Sequence, residues 1–316
     1  MIIGIDVGGT NARALLIDPD SGQIKDRCQT LSVGTGPELV TALTGLINQL
    51  RTSETTAVGL AIAGLVNRTG TVHYSPHLPG LLDYPIGPEL QKDCGLPVAV
   101  SNDATAGTWA EARLGAGQHC DNFAFVALGT GIGAGFVLNG QLVLGAHGFA
   151  GEAGHMTINA QGPTHVTGQP GPWEYFASGN ALGRLGQEAA AAGNFAHGLA
   201  AAGSAQAITG QHVSTAVAAR DPQALEIFDH YCQEIARGAA SLATLLDLER
   251  IVLGGGLAAI GEPLRSSVAD RLPTMLFGAF HRPEVEVCLA QQGPDAGALG
   301  AALIAQNQDA SKKDPQ

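Results

Sequence analysis

Asp103, Glu152, His155 and Glu174 are the side chains with which this sequence could move a proton, in a chain where only 14% of residues are charged. Asp103 closes the run Ser101-Asn102-Asp103 after the apolar stretch Pro97-Val98-Ala99-Val100. A carboxylate at such a strand end can orient an alcohol and take its proton as the alcohol attacks a phosphoryl group. It could equally be the N-cap of a helix starting at Ala104, with Asn102 as the other capping candidate. Glu152 and His155 lie three apart in Gly151-Glu152-Ala153-Gly154-His155, where two polar residues in a glycine-rich loop are commonplace by themselves. Glu174, before Tyr175, reads equally well as a solvated charge.

Phosphoryl chemistry needs a seat for phosphates, and two segments offer one. Ile2-Ile3-Gly4-Ile5-Asp6-Val7-Gly8-Gly9-Thr10 and Phe123-Ala124-Phe125-Val126-Ala127-Leu128-Gly129-Thr130-Gly131-Ile132-Gly133 are each an apolar strand running into a glycine-rich bend. Each bend leads into a run that reads as another strand: Ala14 to Asp18 in the first case, and Gly135 to Leu144 with an Asn139-Gly140 hairpin turn in the second. Dinucleotide fingerprints and lysine P-loops open helices instead. A glycine bend between strands lets backbone N–H groups converge on an anion. Between Lys92 and the Lys312-Lys313 pair there is no lysine, so amides and a metal ion must hold the phosphates. Asp6, beside the first bend, is placed to hold Mg²⁺ through its water shell. One such loop is often an ordinary turn; two suggest related halves facing each other across a cleft.

The elements that must position these groups are those of an α/β protein. Glu38 to Leu50 has helical apolar spacing, and Ala57 to Gly64 reads as a buried strand. Ala104 to Leu114 is expected to be a helix, and Gly115 to Cys120 a linker, giving a boundary near residue 118. Residues 180–248 are alanine-rich and broken near Gly193-Asn194, Thr209-Gly210 and Asp221-Pro222, which predicts several helices. Leu248 to Leu257 is again strand into glycines, and a nucleotide base or ribose could lie on the Gly254-Gly255 bend before a helix over Pro263 to Leu272. The small residues of Gly293 to Ala302 permit close packing of a last helix ending near Gln306, and 307–316 reads as a disordered polar tail.

Composition narrows the partners. A formal charge of −12 with 45% hydrophobic residues describes a compact chain unsuited to nucleic acid or an anionic membrane. A small-molecule ligand is favoured. Cys28, Cys94, Cys120, Cys232 and Cys288 have neither disulfide nor metal spacing, which fits reduced thiols in a cytoplasm. The chain opens on strand residues with no basic leader and no bilayer-length apolar run.

Asp6-Val7-Gly8-Gly9-Thr10-Asn11, Ser101-Asn102-Asp103-Ala104, Leu128 to Gly135, Gly151 to Met156, Glu174 to Gly179 and Ile251-Val252-Leu253-Gly254-Gly255 occur in the order found in the ROK family (repressor, open reading frame, kinase), and the sequence resembles that family along nearly its whole length. The resemblance implies the fold of the actin-like ATPases and sugar kinases, with two ribonuclease H-like α/β domains around a central cleft. Residues 1–118 with the last helix, about 297–306, would form the smaller domain and 119–296 the larger. It implies an ATP-dependent hexose kinase, glucose O6 first, with N-acetylmannosamine, N-acetylglucosamine or fructose as alternatives. Asp6, Gly8, Gly9, Thr10, Gly129, Thr130, Gly131 and Gly133 would hold phosphates, and Gly254 and Gly255 would flank the adenosine. Asp103 would be the catalytic base. Gly64, Asn102, Asp103, Glu152, His155 and Glu174 would surround the sugar, and Mg²⁺ would be held near Asp6 through water. Relatives are often homodimers, but oligomeric state is not readable from the sequence.

Two departures matter. Many members bind a structural zinc through the histidine of Gly-His and cysteines ten, twelve and seventeen residues later; here those positions hold His165, Thr167 and Pro172. His155 and His165 supply at most two donors for a closed four-ligand site, so no zinc site is expected. The loop Gly162 to Glu174 would then be held by packing of Trp173 and by stiff prolines. His77, in Ser75-Pro76-His77, stands where many relatives carry asparagine, which bears on sugar choice. A sugar-sensing regulator is the non-enzymatic alternative. Such proteins carry an N-terminal helix-turn-helix, whereas here one residue precedes the first strand.

Overall fold

The computed structural model describes residues 1–32, 34–165 and 168–311. It divides into two compact units: 1–119 with 135–151 and 291–316, and 120–134 with 152–290.

In the first unit, β1 (Ile2–Val7) and β2 (Asn11–Ile17) form the hairpin around the first glycine bend, followed by β3 (Ile24–Leu31), α1 (Gly36–Leu50), β4 (Ala57–Ile62), β5 (Leu65–Val66), β6 (Val72–Tyr74), α2 (Ile86–Cys94), β7 (Val98–Asn102) and α3 (Asp103–Leu114). The sheet order is β3-β2-β1-β4-β7. β1 pairs antiparallel with β2 and parallel with β4, and β4 pairs parallel with β7. Every residue of β4 is buried, as a two-sided parallel strand requires. The expected βαβ unit is therefore present, and α1 packs Leu39, Leu43, Leu46 and Ile47 into its core.

In the remainder, β8 (Phe123–Leu128) precedes the second glycine bend, and β9 (Ile132–Leu138) and β10 (Gln141–Leu142) come after it. Asn139 and Gly140 both have positive φ, at 51° and 72°, as a type I′ hairpin turn demands. The ladder is shorter than the sequence suggests, ending at Leu142 rather than Leu144. The second unit continues through α4 (Trp173–Ala177), α5 (Gly179–Ala191), α6 (Ala196–Ala202), α7 (Gly210–Ala218), α8 (Pro222–Leu246), β11 (Arg250–Gly254), α9 (Glu262–Met275) and β12 (Glu286–Leu289). The second sheet has the order β10-β9-β8-β11-β12. Asp221 caps α8 by accepting Ala224 N–H at 2.8 Å, and Pro222 occupies the first helical position, where its missing N–H costs nothing.

The last helix, α10 (Ala296–Ser311), belongs to the first unit. It runs past Gln306, where the sequence reading ends it; residues 312–316, the rest of the expected polar tail, lie outside the described residues. Gly4 and Gly59 are register partners in β1 and β4, and a Cβ on either would stand 1.9–2.0 Å from the carbonyl oxygen of Ala298 or Ala301. The helix backbone thus rests directly on the sheet. Fully buried Glu111, in α3, accepts N–H groups of Ala116, Gln291 and Gln292, which fixes α3 to the segment leading into α10. Among the described residues no helix is long and apolar enough to cross a membrane.

Candidate active site

In the first unit, β7 delivers Asn102 to the N-cap of α3. Its Oδ1 accepts Ala104 N–H at 2.9 Å and Thr105 N–H at 3.1 Å, and its Nδ2 donates to the Gly64 carbonyl at 3.1 Å. The two capping candidates are thereby separated: Asn102 caps, and Asp103 becomes the first helical residue. Asp103 accepts the Ala104 N–H, at 2.9 Å through Oδ1. Burial raises its pKa above the ordinary 3.8, opposed by backbone N–H groups and, more weakly, by nearby His77. Gly64 sits at φ 136°, and a Cβ there would come within 2.2 Å of Tyr74 O, so only glycine allows this turn beside Asn102.

Asp6, next to last in β1, lies opposite Arg13 of β2 and rests on Gly297 in the first turn of α10, where a Cβ would stand 2.8 Å from its Cγ. Burial, then the charge of Asp103, raise its pKa to about 6, with Arg13 pulling the other way. A carboxylate so disfavoured gains from a divalent cation, and this fits Mg²⁺ arriving with a nucleotide. The bend beside it is tied down by Gly8 N–H to Asn11 O at 3.0 Å, Ser32 N–H to Thr10 O at 2.9 Å and Ser32 Oγ to Gly8 O at 2.7 Å. Gly8, Gly9 and Thr10 remain exposed. A Cβ on Gly9 would meet His77 Cβ at 3.1 Å, so the bend packs on the loop that carries His77.

In the second unit, the Gly129 N–H donates to Gly131 O at 3.0 Å, and the Gly179 N–H at the start of α5 donates to Gly129 O at 2.7 Å. Exposed Thr130 tips this bend, and Gly133 continues it within β9. Gly254 ends β11 beside Ala127 of β8. Gly255, at φ 78°, lies so close to Leu128 that a Cβ would stand 2.5 Å from its carbonyl oxygen. Next to it, Gly256, Leu257 and Ile260 with Gln211, Ser214 and Thr215 of α7 line a cavity of about 300 Å³.

Glu152, His155 and Glu174 also converge in this unit. A 3-10 turn, Ala153–His155, presents His155 with Nε2 at 3.8 Å from Glu152 Oε2 and Nδ1 at 3.7 Å from Glu174 Oε1. Glu174 Oε2 accepts the Ile132 N–H at 3.3 Å, and a Cβ on Gly131 would lie 2.6 Å from that same oxygen. The second glycine bend therefore touches Glu174 directly. His165 adds Nε2 at 3.3 Å from Glu174 Oε1. The segment between is held as the sequence suggests: Trp173 is fully buried, its backbone N–H reaches Met156 O at 2.8 Å, its indole N–H reaches Glu234 O at 3.0 Å, and its ring fills the space above Gly238. Pro170 and Pro172 make backbone bridges with Thr164 and Thr157. The closed zinc site implied by the family does not fit, because no thiolate stands in this segment.

The sequence profile of the ROK family matches residues 2–308. The chain belongs to the ROK family. This ROK protein is 33% identical over 314 residues to a glucokinase of Streptomyces coelicolor, covering 98% of both chains. It is 34% identical over 310 residues to an N-acetylmannosamine kinase of Shigella flexneri, covering 97% of this chain and 99% of the relative. Among solved structures it is similar to a ROK family glucokinase from Streptomyces griseus in complex with glucose and AMPPNP, with a TM-score of 0.85 and 34% identity over 97% and 99% of the two chains.

Within each unit of the ROK protein the expected residues sit together: Asp6, Gly8, Gly9, Thr10, Gly64, Asn102 and Asp103 in the first, and the second glycine bend, Gly254-Gly255, Glu152, His155 and Glu174 in the second. Gln211, Ser214, Thr215 and Leu257 escape a reading of the sequence, because nothing in their spacing distinguishes them from helix and turn surface. His165 has a signal, since it stands where the family places a metal ligand.

Proposed function

We propose that this ROK protein is an ATP-dependent hexose kinase in which Asp103 takes the proton of a sugar hydroxyl, glucose O6 first. The observation that carries the reading is the division of labour at the start of α3: Asn102 absorbs the capping duty and leaves Asp103 a carboxylate oxygen for an alcohol. The hydroxyl oxygen forms a bond to the γ-phosphorus while the bond to the β–γ bridging oxygen breaks. ADP departs with the electron pair, and the proton passes to Asp103.

Gly64, Asn102, Glu152, His155 and Glu174 are the proposed ligands of the other sugar hydroxyls. The amides of exposed Gly9 and Thr10 and those of Thr130, Gly131 and Gly133, in bends braced by the Gly8 and Gly129 N–H groups, are the proposed phosphate contacts. Asp6 would hold Mg²⁺ through water, and that ion would offset negative charge on the phosphates. The cavity beside Gly254-Gly255 suits an adenine ring, with Leu257 as its apolar floor and Gln211 and Ser214 as polar edges. Five free thiols support a reducing, cytoplasmic setting.

The test is kcat/KM with ATP across glucose, N-acetylmannosamine, N-acetylglucosamine, fructose and mannose, alongside Asp103→Asn. Glucose is expected to lead and the variant to lose at least ~10³-fold in kcat while still binding sugar by calorimetry. No turnover with any hexose, or near-normal kcat in the variant, would remove the reading. Similarity to the Shigella enzyme favours N-acetylmannosamine as the second substrate to test.

A further inference from the structure

We propose that His77 is a further catalytic residue, whose ring N–H donates a hydrogen bond to the transferring γ-phosphoryl group; the assignment rests on the kinase reading. Sequence context ties His77 to the choice of sugar, because it replaces the asparagine of many relatives. The fold sets it against the phosphate side instead. A Cβ on Gly9 would stand 3.1 Å from His77 Cβ and 3.7 Å from its Cγ, so the side chain leaves the backbone alongside the first glycine bend. Gly9 is exposed there, with its amide among the proposed phosphate contacts. His77 is also near enough to Asp103 for its charge to favour the ionised carboxylate. A group that neighbours both the phosphate seat and the proposed base borders the gap that the γ-phosphoryl must cross.

The loop holds this position from both ends. Just before His77, Tyr74 and Ser75 lie against Gly64, where a Cβ would come within 2.2 Å of Tyr74 O and 3.0 Å of Ser75 Cα. Just after it, Leu78 and Leu81 are buried in the same core as Leu60 and Ile62 of β4, and the Leu81 N–H donates to Leu78 O at 3.0 Å. Pro76 and Pro79 restrict the backbone on either side. The imidazole is thus anchored through its neighbours while remaining exposed itself.

Its chemistry suits the place. A P-loop meets the charge of the β- and γ-phosphates with a lysine, and this chain has none between Lys92 and Lys312. An imidazole donates an N–H whether neutral or protonated. Asparagine would also offer a donor, and histidine adds a ring able to carry positive charge, which strengthens a hydrogen bond to phosphate oxygen. The balance of the step is unchanged: the hydroxyl oxygen bonds to phosphorus, ADP leaves with the electron pair, Asp103 takes the proton, and His77 keeps its own.

His77→Ala and His77→Asn in the full-length chain test the assignment. His77→Ala should lower kcat about 10²-fold, the cost of removing one preorganised donor from developing oxyanion charge, while glucose affinity by calorimetry without nucleotide changes less than ~2-fold. His77→Asn keeps a donor and should recover most of that loss, with both variants melting near the parent temperature. A second measurement needs no turnover: AMPPNP, which carries a γ-phosphoryl, and ADP, which lacks one, are titrated with Mg²⁺ into parent and variant. The preference for AMPPNP over ADP should shrink about tenfold in His77→Ala while ADP affinity holds. Unchanged kcat, an unchanged AMPPNP-to-ADP ratio, or a loss confined to sugar affinity would each overturn the assignment. A parent that phosphorylates no hexose would instead remove the kinase reading, and the AMPPNP-to-ADP ratio would still decide whether His77 meets the γ-phosphoryl.

Discussion

Replacing Asp6 with asparagine should make the ligand-free protein more stable, and increasingly so as the pH rises. Asp6 titrates near 6 in the folded chain, against an ordinary value of 3.8. The folded state therefore holds a proton that the unfolded state releases between these values, and stability is lost as pH rises through that window. The penalty on the ionised form reaches about 3 kcal/mol at pH 8 and about half of that at pH 5. A neutral amide in place of this carboxylate would carry no such penalty, so Asp6→Asn should gain up to ~3 kcal/mol at pH 8 and ~1.6 kcal/mol at pH 5. Urea unfolding followed by tryptophan emission measures it, since the two tryptophans, Trp109 and Trp173, lie in different units and the Trp109 transition reports the one containing Asp6. With saturating Mg²⁺ and ATP the order should reverse, because the parent gains binding energy that the variant loses. An equal stability difference at both pH values, or a variant less stable at pH 8, would refute the assignment of a disfavoured charge to this position.

Gly131→Ala would push its Cβ into Glu174 Oε2 and displace that carboxylate from the Ile132 N–H; sugar KM should rise about tenfold or more while the melting temperature changes little, as steady-state kinetics and a thermal scan would establish. Because burial raises the pKa of Asp103, whose ionised form is the proposed base, kcat/KM should fall with decreasing pH through a midpoint above 3.8; a profile flat from pH 8 to 4 would contradict this. That acid limb should report Asp6 as well as Asp103, since the charge of Asp103 opposes ionisation of Asp6. Gly59→Ala places a Cβ 2.0 Å from Ala301 O and 2.6 Å from Ala302 N, backbone atoms that cannot rotate away, so it should destabilise by ~3 kcal/mol or more, measurable as lost soluble yield and a lower urea midpoint.

What could be read before folding was local chemistry. The strand-bend-strand segments, the Asn139-Gly140 turn, the Asp221-Pro222 helix start and the small-residue stripe of α10 are each encoded within a few neighbours. Residue order at 101–103 puts both capping candidates in view but cannot choose between them, because the choice depends on the Gly64 carbonyl, brought alongside by β4. The hold of Glu174 on the second glycine bend joins residues 42 apart and has no sequence signature. The same is true of the cavity between α7 and the turn after β11, whose lining is ordinary side chains made significant by position. Glu174 shows the limit of reading side chains one at a time: a carboxylate that reads as a solvated charge stands beside both His155 and His165.

The seating of α10 on Gly4 and Gly59 has a consequence for biosynthesis. During translation β1 and β4 leave the ribosome early, yet the helix that covers one face of their sheet is made only after the entire second unit. Until then Ile2, Ile17 and Ala57, which share an apolar cluster with Ala298, Leu299 and Ala302, have no permanent cover. That face of the sheet is thus closed only once α10 has been made.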